Sequence, residues 1–349
     1  MSKQIKVIAA LSLSIILLLA LATACAPAPA PAPEPEVIEK EVIKEVEVEA
    51  DIPTIAFIQR TMSAPYYVAM WDTMAKMSLE EGFRLIALNA NLDATTYIKQ
   101  VEDVITQKVD GVIVNSVDAS TMADVDQQFV DAGIPLVYID TPVLEVDSVA
   151  IVQSDNFTIG KGAGLGMAAR LNSLGKTDVK LAHLHGNPGD IKVGPDRYNG
   201  FLAGLEEGGI TYELVADGNA EYTTELGLQL TEDFLVAFPE IDVIFANNDS
   251  MALGALAAVQ AAGRDDILIS GIDGQKEGFQ AIKEGCPDGQ YVSTGLNSPV
   301  LAAEQSVDIL LSIMRGETTP EDYEDVMYTP AVGIDCSNID EYYDPLSVF

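Results

Sequence analysis

The feature that most constrains this chain is an internal echo 132 to 133 residues apart. Asp110-Gly111-Val112-Ile113-Val114-Asn115 returns as Asp242-Val243-Ile244-Phe245-Ala246-Asn247, and Tyr138-Ile139-Asp140 returns as Gly271-Ile272-Asp273. A repeat of this length is one α/β domain, so the body consists of two similar lobes of about 150 residues. Candidate strands are Ile55 to Ile58, Arg84 to Leu88, Gly111 to Val114, Leu136 to Ile139 and Ala150 to Val152 in the first half. Val179 to Leu184, Tyr212 to Val215, Val243 to Ala246, Ile267 to Ser270 and Tyr291 to Ser293 follow in the second. Helical patterns of 12 to 18 residues separate them. Continuous Val/Ile/Leu runs alternating with helices specify parallel sheets covered on both faces, a doubly wound α/β class. The repeated polar residues end their strands, the edge at which open parallel sheets take ligands.

Residues 1 to 51 stand apart from this pattern. Lys3 and Lys6 precede the uncharged apolar run Val7 to Ala24, which ends in Ala22-Thr23-Ala24-Cys25. This reads as an export signal, residues 1–24, with Cys25 as the acylated first residue of a lipoprotein. The Ala/Pro alternation of Ala26 to Pro35 favours extended polyproline II, and Glu36 to Asp51 continues it as a charged stalk, so residues 25–51 form a tether. The expected location is therefore the cell envelope, outside the cytoplasm, with the membrane touched only through the lipid.

The chain of 349 residues carries 54 acidic against 19 basic side chains, a net charge of −35. Outside the signal and tether, residues 52–349 hold 46 acids against 15 bases, or −31. Such a body repels phosphate backbones and disfavours anionic ligands, which excludes nucleic acid and points to a neutral solute. Cys286 and Cys336, the other two cysteines, are in neither a CxxC pair nor a His cluster, and in an exported chain they are expected to form a disulfide.

Gly175-Lys176-Thr177 lacks the first glycine of a P-loop, since position 170 is Arg170. Gly164-Leu165-Gly166-Met167-Ala168-Ala169 lies inside a helical pattern, where small residues allow close packing. Neither GxSxG nor HExxH occurs. The histidines, His183 and His185, would share one face of a strand, but no Cys or acidic cluster stands near them in sequence, so no metal and no cofactor is expected. Asn89-Ala90-Asn91-Leu92-Asp93 lacks the glycine and bidentate acid of a calcium loop, and Asp93 reads as a helix cap.

What remains is a set of polar and aromatic residues near strand ends: Tyr66, Tyr67, Asp140, Arg197, Tyr222, Asn248, Asp273 and Asn297. Sugar hydroxyls both donate and accept, so a buried sugar needs carboxylates, amides and a guanidinium, while its C–H faces need aromatic walls. Each residue alone has a local alternative: Asp140 and Asp273 as loop caps, Asn248 as a turn former, Arg197 as a surface ion-pair partner.

On these residues the chain, from Thr54 to about Tyr328, resembles the pentose- and hexose-binding periplasmic proteins of ABC importers, the ribose-binding-protein-like group. The clearest match is Val243-Ile244-Phe245-Ala246-Asn247-Asn248-Asp249-Ser250-Met251-Ala252-Leu253-Gly254-Ala255, followed by Gly271-Ile272-Asp273-Gly274. Ala64-Pro65-Tyr66-Tyr67, Gly133-Ile134-Pro135, Ser154-Asp155-Asn156 and Arg197-Tyr198-Asn199-Gly200-Phe201 also match. The resemblance implies a periplasmic binding protein of type I, two doubly wound lobes joined by a three-strand hinge with crossovers near Asp155, Asn297 and Asp322. Residues 52–155 plus 298–322 would form the N-terminal lobe, and 156–297 plus 323–349 the C-terminal lobe. It further implies that Tyr66 and Tyr67 stack on one sugar face with Tyr222 opposite, while Asp140, Arg197, Asn248, Asp273 and Asn297 bind hydroxyls. The chain departs from the ribose-binding pattern at Thr141, which replaces an Arg, at Ala64, which replaces an Asn, and at Asn297, which replaces a Gln. Two large donors are thus missing, which argues against ribose itself. Arg60, Ser63, Thr141 and His185 are further candidates. The expected function is capture of a neutral monosaccharide or polyol by a monomer that closes on it and delivers it to an ABC permease. The alternatives are a sugar or furanone sensor domain for a signalling receptor and an exported carbohydrate-active enzyme.

Overall fold

A computed structural model describes residues 52–187, 190 and 192–349. The export signal, the tether and the acylated Cys25 expected from the sequence lie outside the described residues. The first lobe runs through β1 (Thr54–Gln59), α1 (Pro65–Glu81), β2 (Arg84–Asn89), α2 (Ala94–Gln107), β3 (Gly111–Val114), α3 (Ala123–Asp131), β4 (Leu136–Ile139) and β5 (Ala150–Gln153). The second begins with α4 (Asn156–Ser173) and continues through β6 (Asp178–His185), α5 (Val193–Glu207), β7 (Thr211–Asn219), α6 (Thr224–Ala237), β8 (Val243–Ala246), α7 (Asp249–Ala261), β9 (Leu268–Asp273), α8 (Lys276–Gly285) and β10 (Tyr291–Leu296). The chain then returns to the first lobe as α9 (Pro299–Met314) and β11 (Val326–Tyr328), and crosses back for β12 (Gly333–Asp335) and α10 (Ile339–Tyr342).

Each lobe is built on a six-stranded sheet, ordered β11-β5-β4-β3-β1-β2 in one and β12-β10-β9-β8-β6-β7 in the other. The ten strands read from apolar runs all form, and the echoed segments occupy equivalent places, β3 with β8 and β4 with β9. Strands such as Val243–Ala246 are buried along their whole length because helices cover both faces.

The third crossover is a correction. It lies between Tyr328 and Gly333, not near Asp322, because Val326–Tyr328 adds to the first sheet, parallel to β5, with Val326 opposite Ile151. Three residues on a sheet edge carry too little apolar pattern to be read as a strand, and their main chain makes the pairing. Nor does everything after residue 323 belong to the second lobe, since Phe349 packs into the core of the first.

Cys286 and Cys336 are joined, closing a loop of 50 residues that leaves the second lobe, builds α9 and β11 in the first, and returns. The glycines of α4 serve packing, as their sequence context suggests. A Cβ on Gly160 would stand 2.2 Å from the carbonyl oxygen of Arg197 on α5, and one on Gly164 the same distance from that of Phe201. Asp93 caps α2 by accepting from the Thr96 amide at 2.7 Å.

Candidate functional site

The site forms where the C-terminal strand edges of the two lobes meet at the hinge. Asp140 follows β4 and Asp273 ends β9, so the echo places one carboxylate at the same edge of each sheet. Both take positive φ, 64° and 123°, which a non-glycine residue adopts only when its surroundings compel it. The outcome is that each carboxylate leaves its strand axis and joins a network of named partners.

That network is continuous across the lobes. The Tyr66 hydroxyl, at the start of α1, is shared between Asp140 Oδ1 and Asn297 Oδ1, each 3.3 Å away. Asn297 Nδ2 donates to Asp273 Oδ1 at 3.1 Å, and Asp273 Oδ1 pairs with Arg197 Nη1 at 3.0 Å. Arg197, 4% exposed, also donates from Nε to Asn156 Oδ1 at 2.9 Å and from Nη1 to the Asn247 carbonyl at 2.7 Å. The close α4–α5 contact is what lets this guanidinium reach Asn156.

The electrostatics follow from burial. Burial pushes the Asp273 carboxyl up to about 6, outweighing the opposing pull of Arg197 and the hydrogen bond from Asn297. Burial also works against the charge of Arg197, but Asp273, Tyr222 and Asp140 more than offset it, and its pKa is raised. Tyr67 packs edge-on against Tyr66 with ring centroids 5.5 Å apart. Burial lifts its hydroxyl to about 12, and it feels the charges of Arg60, Asp140, Asp273 and Arg197 from both lobes.

The remaining expected residues divide. Arg60 Nη1 donates to Thr141 Oγ1 at 2.8 Å, and Thr141 in turn donates to Asp140 Oδ2 at 3.2 Å, so both join the first-lobe cluster. Tyr222 lies over Gly186 and its hydroxyl donates to Asp190, within reach of the Arg197 charge. Asn248 caps α7, accepting from the Met251 amide at 2.9 Å and donating to the Tyr222 carbonyl, so its local role is the one observed. Ser63 is exposed, and its amide donates to Thr61 at 3.2 Å, a local contact. His185 pairs with Asp217 on β7 instead of joining the interlobe network.

Further residues take part in the network. Ser154 donates to Asn297 Oδ1 at 2.7 Å and lies 2.8 Å from the Thr329 hydroxyl, so one hydrogen-bonded trio ties all three crossovers together. Asn115 donates to Gln59 Oε1 at 2.9 Å and to Asp140, yet its own Oδ1 is buried without a partner, as is Arg60 Nε. Phe349 packs edge-on against Tyr66 at 5.8 Å while Lys276 on α8 donates to the Ser347 carbonyl, so residues 347–349 touch both lobes. Asn115 and Asn247 were visible as the last members of the echoed segments; Phe349 and Thr329 carried no signal of their own.

A fold of two parallel-sheet lobes with polar groups converging on a hinge defines a class of ligand-capturing protein, and the comparisons agree. Residues 55–318 match the periplasmic binding protein domain, and the chain belongs to that family. It is 30% identical over 264 residues to the ribose import binding protein of Bacillus subtilis, covering 76% of this chain and 82% of that protein. A solute-binding protein from Actinobacillus succinogenes with bound D-allose superposes with a TM-score of 0.73 at 27% identity, covering 83% of this chain and all of the other. One from Bacillus halodurans with bound myo-inositol gives 0.70 at 27%, covering 83% and 96%.

Proposed function

We propose that this chain is an extracytoplasmic, lipid-anchored solute-binding protein that captures a neutral monosaccharide or polyol between its lobes and delivers it to an ABC permease. The observation that carries the reading is the hydrogen-bonded line from Asp140 through Tyr66 and Asn297 to Asp273 and Arg197, which takes groups from both lobes and the hinge. Carboxylates, an amide and a guanidinium beside two tyrosines are the partners that alternating hydroxyls and C–H faces require. The ligand-bearing relatives support the same class, since allose and inositol are neutral polyhydroxylated rings. Free energy of closure comes from contacts that both lobes make to one ligand, and no bond is broken. Selectivity comes from the cost of leaving half-buried Asp140, or buried Asp273 or Arg197, without a partner when the wrong hydroxyl is presented. Calorimetry against pentoses, hexoses, inositols and linear polyols tests this. Binding of at least one at micromolar strength or tighter is expected; a panel in which nothing binds below millimolar concentration overturns it.

A further inference from the structure

The pair His183 and His185 acquires in the fold a partner that the sequence did not show. β7 lies parallel to β6, and its register sets His183 opposite Asp217. The ligating atoms of His183, His185 and Asp217 all lie within 4.8 Å of one another. His183 Nδ1 is 3.2 Å from Asp217 Oδ1, and His185 Nε2 contacts the same oxygen. Two ligands bonded at about 2.0–2.1 Å in a tetrahedron stand about 3.3 Å apart, which is the spacing of the first pair; the second pair is closer, and the half-exposed His185 side chain turns outward to reach that spacing.

A second observation concerns the buried member. His183 is 1% exposed and held on its other faces: the ring stacks on Tyr198 at 3.9 Å and 6°, and Nε2 lies 3.0 Å from Asn247 Oδ1. In the tautomer whose Nε2 proton is donated to this amide oxygen, Nδ1 presents its lone pair toward Asp217. The angle of this approach is poor for a hydrogen bond, and among the described residues Nδ1 is buried with no partner of good geometry. In that tautomer the lone pair and the carboxylate face each other, and a cation between them satisfies both. Imidazole ligands fixed by a hydrogen bond from the distal nitrogen are the usual arrangement around bound metal.

We propose that His183, His185 and Asp217 form a binding site for a divalent transition metal of the zinc type on the β6–β7 edge of the second lobe. Two nitrogens and one oxygen suit zinc over calcium or magnesium, which prefer all-oxygen sites. Water completes the coordination from the exposed side, where His185 and Asp217 keep 37% and 47% of their side-chain surface. The site is independent of the sugar reading, although Asn247 links the two: its side chain holds His183 and its carbonyl accepts from Arg197.

The test uses the full chain after treatment with EDTA and removal of the chelator. Titration with zinc chloride should show one equivalent bound at micromolar strength or tighter, and Co2+ should give the visible absorption of a four-coordinate nitrogen–oxygen site. His185→Ala and Asp217→Asn alter half-exposed side chains, so the variants keep the fold, as circular dichroism checks. Each should weaken zinc binding by at least about 100-fold, since even outer partners of such sites contribute 10- to 100-fold. Zinc should raise the thermal midpoint of the parent protein and leave that of Asp217→Asn unmoved. Zinc binding only above about 0.1 mM, or equal affinity in parent and variants, overturns the proposal.

Discussion

Asp126 shows what one buried side chain does to the whole stability curve. It is fully buried on α3 and accepts from the Tyr97 hydroxyl at 2.5 Å and the Tyr138 hydroxyl at 2.8 Å. Burial nonetheless pushes its carboxyl up to about 6, and Asp249, which accepts from Tyr291 and Thr294, goes up to about 7. A folded-state pKa above the unfolded value means that the native state binds the extra proton. The stabilisation is complete below about pH 4 and is lost as the pH rises through 6 to 7. The thermal midpoint should therefore be higher at pH 5 than at pH 8, and Asp126→Asn should flatten that dependence by about 1–3 kcal/mol, read from urea denaturation at the two pH values. Asp273 belongs to the same group, but its removal has two consequences. Asp273→Asn should weaken ligand binding by about 10- to 100-fold in calorimetry. Asp273→Ala should also destabilise the fold by about 3–5 kcal/mol, because it strands the buried Arg197. Asp140 and Asp273 were legible in the sequence through their echo, whereas Asp126 was not, since its two tyrosines come from α2 and β4.

At the scale of elements, the helix pair α4–α5 sets the position of Arg197. The glycines of α4 let the α5 backbone approach closely enough for Arg197 to reach Asn156 and Asn247. Gly160→Ala would force the Arg197 carbonyl away from 2.2 Å, a shift of backbone, not of a flexible side chain. Overpacking of this kind costs about 1–3 kcal/mol. The variant should thus lose stability by that amount in denaturant and also bind ligand more weakly, whereas a substitution at exposed Asp233 on α6 should change neither. The strands were readable because uninterrupted β-branched runs have few other solutions. β11 and β12 were not, because three residues at an edge are held by main-chain hydrogen bonds that any sequence can make.

For the molecule as a whole, the relation between the lobes rests on three crossovers laced by Ser154, Asn297 and Thr329. The Cys286–Cys336 bond acts at this scale also, since its loop includes the excursion into the first lobe. Closing 50 residues contributes about 4 kcal/mol in the chain-entropy account. Replacing both cysteines by serine should lower the free energy of unfolding by about 2–4 kcal/mol, measured in guanidinium, with ligand affinity nearly unchanged. A large loss of affinity would mean that the bond also sets the lobe geometry. The charge of the body acts in the same direction as the buried acids, since self-repulsion eases as carboxylates are protonated.

The sequence by itself determined the class of fold, the count of two lobes and the strand ends that bear Asp140 and Asp273. Those features repeat or are periodic, and periodicity is a local property that survives without coordinates. Only the tertiary structure decided that Asn248 caps a helix, that Asn297 joins both lobes to the hinge and that Phe349 returns to Tyr66. It alone set Asp217 beside His183 and His185, because parallel register brings together residues that stand more than thirty positions apart along the chain.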